Sequence, residues 1–310
     1  MYQVIQQIVN QYYRLEHAEA EQAEGGWSAL AFHVSAHDRH YFLKAYEKNR
    51  ASTAGLVKRM DDYLPITAWL YQHTALQEAM IMPIMTVEGK YSCQDAQHVY
   101  LLYPLIEGET IGSRELTSLE INQFSWFVRE LHRYGQDIPV QTAALKEDFH
   151  VPFVNLYSDL FNGNLSEEVQ QLVQPYLSSL CELFTKVTQL AELLKEKPPK
   201  LVLCHTDLHY WNLMQKNGRL IVIDWEGMKL APVEADLFAL VNKPYFSTFL
   251  KQYQEVHSEY QVNAVSLSFY QGRRKLEDSA ECIEQLLYDQ MTVKEREEVK
   301  RDLLGELKGI

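Results

Sequence analysis

The stretch from Leu201 to Glu226 constrains this chain more than any other. Leu201-Val202-Leu203-Cys204 is a short apolar run of the kind that forms a buried strand, and it delivers His205-Thr206-Asp207-Leu208-His209-Tyr210-Trp211-Asn212 into a loop. Next come Leu213-Met214-Gln215-Lys216, the pair Asn217-Gly218, and Arg219-Leu220-Ile221-Val222-Ile223-Asp224-Trp225-Glu226. Asn-Gly between apolar runs is the strongest short-range hairpin signal, and a two-residue turn fixes the register. Lys216 then opposes Arg219, Asn212 opposes Ile223, and Asp224 lies beside Asn212 at the open end.

An amide oxygen and a carboxylate side by side, with Asp207 arriving from the preceding loop, make a hard-oxygen site. Such a site suits Mg2+, which takes few protein ligands and fills its shell with water and phosphate oxygens. The spacing therefore predicts a nucleotide-metal site. A rival chemistry takes His205, Asp207, His209 and Asp224 as transition-metal ligands of a hydrolase, but it leaves Asn212 and the N-terminal sheet without a role.

H-x-D-x-x-x-x-N followed by an apolar strand ending in Asp resembles the catalytic block of aminoglycoside phosphotransferases and related small-molecule kinases of the protein-kinase-like fold. Glu24-Gly25-Gly26-Trp27-Ser28 sits where that family's phosphate-covering loop lies, Lys44 where its strand lysine lies, and Tyr103 to Gly108 where its hinge lies. The segments Leu230 to Leu237 and Ser268 to Asp278 are similar to later parts of the family, the second to the late helix of spectinomycin-type phosphotransferases. The resemblance implies that Asp207 accepts or orients the proton of a substrate hydroxyl. It implies that Asn212 and Asp224 hold Mg2+ against the phosphates of ATP or GTP, and that Lys44 contacts the α and β phosphates, with Gly26 and Ser28 closing over them. The hinge binds adenine through the Pro104 carbonyl and the Ile106 N–H, since Pro104 has no N–H of its own.

One departure stands out. Kinases of this fold pair the strand lysine with a glutamate on the next helix, but Asn49 to Met60 contains no acid and the aligned position is Ala51. Glu47 or Asp224 is then the partner of Lys44; otherwise the protein is a pseudokinase that binds without turnover.

Along the chain, Ile5, Ile8, Val9, Tyr12 and Tyr13 recur at helical spacing, after which Ala29 to Val34 and His40 to Ala45 read as a hairpin around a polar turn. A helix is expected from about Asn49 to Tyr63, then strands over Ala79 to Val87 and Gln97 to Tyr103 around a Glu88-Gly89 turn. Beyond Tyr103 the pattern turns helical: Thr117-Ser118-Leu119-Glu120 is a capping box opening a helix stopped by Gly135, and Ser166 to Lys195 is helical with a break at Pro175. The expected fold is α+β and two-lobed, with an antiparallel sheet lobe over residues 1–104 that covers the nucleotide and a helical lobe over 105–310. His205 and His132 read as structural, Trp225 as packing between the lobes, and Arg273-Arg274-Lys275 as a solvated face.

Composition limits the partners. With 29 basic against 42 acidic residues the net charge is −13, which argues against nucleic acid and favours a cationic acceptor. Glu226, Glu277 and Asp278 are the carboxylates expected to hold its ammonium groups, and an aminoglycoside or amino-alcohol is the leading class. Choline-, methylthioribose- and homoserine-type acceptors stay open. No window is apolar for the ~20 residues a bilayer requires, so no membrane partner is expected. Cys93, Cys181, Cys204 and Cys282 show no C-x-x-C spacing, which reads as reduced thiols in a cytoplasmic protein.

Overall fold

The computed structural model describes residues 1–23 and 29–310. Its helices, in chain order, are α1 (Tyr2–Tyr13), α2 (Ala51–His73), α3 (Ser118–Leu131), α4 (Val154–Phe161), α5 (Glu167–Val173), α6 (Leu177–Glu196), α7 (Glu234–Leu237), α8 (Phe246–Gln254), α9 (Ala264–Tyr288) and α10 (Val293–Lys308). The strands are β1 (Glu19–Gln22), β2 (Leu30–Ala36), β3 (Arg39–Glu47), β4 (Ser92–Gln94), β5 (His98–Pro104), β6 (Glu109–Thr110), β7 (Val202–Cys204), β8 (Leu213–Lys216), β9 (Arg219–Val222) and β10 (Lys229–Ala231). Two compact units result: Met1–Lys146 with Val202–Leu230 and Pro244–Ser258, and Glu147–Leu201 with Ala231–Lys243 and Glu259–Ile310.

In the first unit an antiparallel sheet runs in the order β1-β2-β3-β5-β4 among the described residues. The turn joining β2 to β3 places His37 and Asp38 at φ 49° and 59°, the left-handed pair a two-residue hairpin turn needs. Strand side chains alternate between faces, so Leu43 and Ala45 of β3 join Phe32, Val34, Tyr100 and Leu102 in one cluster that α1 closes with Ile5, Ile8 and Val9. Lys44 and Tyr46 therefore belong to the opposite face.

Three local expectations are corrected. The second strand of the 79–103 pair is β5, but its partner is β4; residues 81–86 form no strand, with Pro83 lacking a donor, although a turn does follow at Val87-Glu88. Helix α2 does not stop near Tyr63 but runs on through Pro65 to His73, because Ile66, Ala68 and Leu70 continue its buried face. Helix α3 begins on the expected box, Thr117 accepting from Glu120 N–H while the Glu120 carboxylate accepts from Thr117 N–H, and ends at Leu131, short of Gly135.

The second unit is helical. Gly272 of α9 lets α6 approach closely: a Cβ there would lie 2.5 Å from Cγ2 of Val187. Arg296 and Lys300 of α10 both reach Glu168 in the first turn of α5. Arg273 does not lie on a solvated face. It is buried, donating to Glu147 at 3.2 Å and to Glu277 at 2.8 Å, and the distance of Glu147 along the chain hid this pairing. Among the described residues no helix is long and apolar enough to cross a membrane, and the cysteines form no disulfide.

Candidate active site

Lys44 stands in the middle of β3, opposite Ala31 of β2 and Leu101 of β5. Its ammonium is bonded to Asp224 and, at 2.9 Å, to Glu226. Tyr46, two residues on and on the same face, donates its hydroxyl to Glu226. Burial opposes the charge on Lys44, but the two carboxylates outweigh it and hold its pKa above the ordinary lysine value. The carboxylates divide. Asp224 is lowered against its burial by Lys44, while burial and the Asp224 charge together raise Glu226, so Asp224 is the more acidic of the two.

Glu226 was expected to face a cationic acceptor; the structure turns it inward, 7% exposed, onto Lys44 and Tyr46. It supplies the carboxylate that α2 lacks. Arg59 of α2 instead donates to the Met228 carbonyl at 2.6 Å and braces the segment that carries both acids. The Tyr63 hydroxyl, also buried on α2, has no hydrogen-bond partner among the described residues.

The hairpin register is as the spacing requires. Lys216 pairs with Arg219 and Leu213 with Val222, Asn217 and Gly218 have φ 49° and 80°, and the Ile223 N–H donates to the Asn212 carbonyl at 3.0 Å. Beyond Val222 the strand gives out: Asp224 is left-handed at φ 68° and caps a short 3-10 turn, Trp225–Gly227. The loop from His205 is stitched to this turn. The His205 ring bonds the Ile223 carbonyl at 2.9 Å through Nε2 and accepts from the Asp207 N–H at 3.4 Å through Nδ1. Thr206 donates to the Gly227 carbonyl at 2.7 Å, and a Cβ on Gly227 would lie 2.6 Å from that hydroxyl, so only glycine fits. Trp225 packs edge-on against His205 and Phe127.

Asp207 is held by the Asn212 amide nitrogen, 2.9 Å from both its carbonyl and Oδ2, and has His209 3.3 Å from the same carboxylate oxygen. A third of its side chain remains exposed, so the carboxylate is reachable. With Nδ2 committed to Asp207, Asn212 keeps its oxygen for another partner. An amide oxygen and a carboxylate are the donor types Mg2+ prefers, so by donor chemistry Asn212 and Asp224 could hold such an ion. His205, Asp207, His209 and Asp224 do not fit a transition metal: both ring nitrogens of His205 are spent on backbone groups, and among the described residues these four side chains form no metal-ligand cluster.

The remaining expected positions lie on other elements. Pro104 closes β5 opposite Tyr41, and Ile106 follows it; their neighbour Leu105 donates to the His40 carbonyl at 3.0 Å and Gly108 to the Ile106 carbonyl at 2.9 Å. Gly108 packs so tightly on the Gln215 carbonyl of β8 that a Cβ would collide with it. Gly26 and Ser28 lie outside the described residues. Glu277 and Asp278 stand on α9, each with an arginine one turn before it, Arg273 and Arg274, at 2.8 Å. Sequence reasoning missed Tyr46 and Arg59; the period-2 alternation from Lys44 is the signal that finds Tyr46.

Residues 19–265 match the sequence profile of the phosphotransferase enzyme family, APH. No curated protein sequence matches the chain. Among solved structures, spectinomycin phosphotransferase APH(9)-Ia in complex with ADP and spectinomycin superposes with a TM-score of 0.72 at 22% identity, over 99% of this chain and 98% of that one. The microcompartment-associated aminopropanol kinase gives 0.67 at 12% identity over 98% and 95%, and choline kinase LicA from Streptococcus pneumoniae 0.66 at 16% over 99% of each chain. The α+β fold is thus that of the protein-kinase-like phosphotransferases, and the chain belongs to the APH phosphotransferase enzyme family.

Proposed function

We propose that this protein transfers the γ-phosphoryl group of ATP or GTP to a hydroxyl of a small cationic molecule, an aminoglycoside or another amino-alcohol. The observation that carries the reading is the coupling of two carboxylates by one loop system. Asp224 meets the sheet lysine Lys44, while Asp207, stitched to the same turn through His205 and Thr206, stays reachable. Residues 1–104 serve the nucleotide and residues 105–310 carry the catalytic loop and the acceptor site.

Lys44 exchanges its carboxylate partners for the α and β phosphates when nucleotide binds. The Pro104 carbonyl and Ile106 N–H take adenine, and Gly26 and Ser28 lie over the phosphates. Asn212 Oδ1 and Asp224 hold Mg2+, which when bound neutralises phosphate charge. Asp207 accepts the acceptor's hydroxyl proton as the new oxygen–phosphorus bond forms and the bond to the β-phosphate oxygen breaks, and passes it to solvent. The transition state is loose, so positioning and charge neutralisation supply most of the rate. Glu277 and Asp278, each paired with an arginine, are the carboxylates we assign to an ammonium group of the acceptor, and the site of action is the cytoplasm.

Incubating the protein with Mg2+, ATP or GTP, and a pool of amino-sugars and amino-alcohols, with mass spectrometry for a phosphorylated product, tests the reading. Asp207→Ala is expected to abolish transfer with nucleotide binding largely kept, and Asp224→Ala to weaken Mg-nucleotide binding itself. Nucleotide binding without any product, or full activity in the Asp207 variant, overturns it.

A further inference from the structure

The loop between Asp207 and Asn212 carries a side chain that the chemistry so far leaves unused. Tyr210–Asn212 is a single 3-10 turn; Tyr210 and Asn212 are buried, and Trp211 between them is 62% exposed. Its indole is not loose. A Cβ on Gly112 would lie 3.2 Å from both Cη2 and Cζ3 of the ring, and Gly112 has φ +60°, so glycine at this position lets the indole rest against the backbone. The same segment is tied to the loop on both sides of Trp211: Gly112 N–H donates to the Tyr210 carbonyl at 3.2 Å and Ile111 N–H to the Leu213 carbonyl at 2.8 Å. Three residues further on, the exposed Glu115 accepts the Tyr210 hydroxyl at 3.2 Å, and Tyr210 also meets the Tyr245 hydroxyl at 3.1 Å.

A large aromatic surface left in water costs free energy that a ligand recovers on covering it. Here the ring rests against the Gly112 backbone and is set one residue from Asn212, in a chain of net charge −13. An exposed indole attracts an organic cation through its ring quadrupole and offers a neutral alcohol no equivalent attraction. We infer that Trp211 is the platform that binds the alkylammonium group of the acceptor and selects cationic over neutral alcohols. The inference rests on the phosphotransfer reading and names the residue that sets its acceptor class.

The test uses protein labelled with 5-fluorotryptophan, in which Trp211→Phe assigns the Trp211 fluorine signal. With Mg2+ and a non-hydrolysable ATP analogue present, it is titrated with choline, 1-amino-2-propanol, spectinomycin and 3,3-dimethylbutan-1-ol, the neutral isostere of choline. A saturable shift of the Trp211 signal is expected with at least one of the cations and none with the neutral alcohol. For any of them that is phosphorylated, Trp211→Ala is expected to raise KM about tenfold and Trp211→Phe less, with kcat within about twofold and nucleotide binding unchanged. An unmoved signal with all three cations, or an acceptor KM that is the same in wild type and Trp211→Ala, overturns the inference. Absence of transfer by the wild type defeats the phosphotransfer reading instead, and the fluorine titration then decides Trp211 alone.

Discussion

At the scale of the residue, the unusual element is Glu226. Two carboxylates around one lysine are costly to bury unless every charge is met, and here Lys44 serves both while Tyr46 donates to Glu226. Glu226→Ala strands a buried lysine with half its partners and leaves the Tyr46 hydroxyl unpaired, so chemical denaturation is expected to show a loss of about 3 kcal/mol. Glu226→Gln keeps an acceptor for Tyr46 and is expected to fold better, yet with Lys44 drawn wholly to Asp224 its KM for nucleotide rises several-fold. Unchanged stability in the alanine variant means that Glu226 does not anchor Lys44. The contact of Lys44 with Asp224 was one of the two pairings the sequence left open. The inward turn of Glu226 was not legible, because extending strand alternation past Ile223 ignores the left-handed residue Asp224 and the 3-10 turn, which reset which side chain faces the sheet.

At the scale of the element, the start of α3 shows how local chemistry carries into pH dependence. Arg114 bonds both oxygens of Glu120 and Thr117 adds its N–H, which together hold the Glu120 carboxyl at about 2, well below the usual range. A carboxyl with a depressed folded pKa lends stability that is complete above its unfolded value near 4.5 and vanishes as the pH falls toward 2. Thermal melts are therefore expected to show Glu120→Gln less stable than wild type at pH 7 and the gap closing between pH 4.5 and 2. Thr117→Ala is expected to cost about 1 kcal/mol throughout. A gap that persists at pH 2 shows that the ion pair is not its source. The Thr117–Glu120 box was readable because its partners lie three residues apart, as was the Asn217-Gly218 hairpin, whereas Arg114 was not read as part of it. Pro65 inside α2 and the buried pairing of Arg273 with Glu147 were not readable. In both, contacts remote in sequence override what the local residues favour: a proline that normally ends helices, and an arginine that normally faces water.

At the scale of the whole molecule, the proposed roles separate along the compact units. Lys44, Asp207, Asn212, Asp224 and Trp211 all belong to the unit of Met1–Lys146, Val202–Leu230 and Pro244–Ser258, whereas Glu277 and Asp278 belong to the other. A ligand stabilises what it binds by RT ln(1 + [L]/Kd), about 2.7 kcal/mol at a hundredfold excess over Kd, and this raises protection against hydrogen exchange where its contacts are made. Mg-nucleotide alone is expected to slow exchange in β3, in the loop from His205 to Asn212 and in β9, and to leave α6 and α10 nearly unchanged. Adding a cationic acceptor is then expected to extend protection to the segment around Gly112 and Trp211. The two steps are separable because Asp224→Ala loses the first response, while Trp211→Ala keeps it and loses the second at Gly112. Equal protection of α10 and β3 by nucleotide alone would mean that the ligand tightens the entire chain as one cooperative body, and the assignment of nucleotide contacts to the first unit would fail.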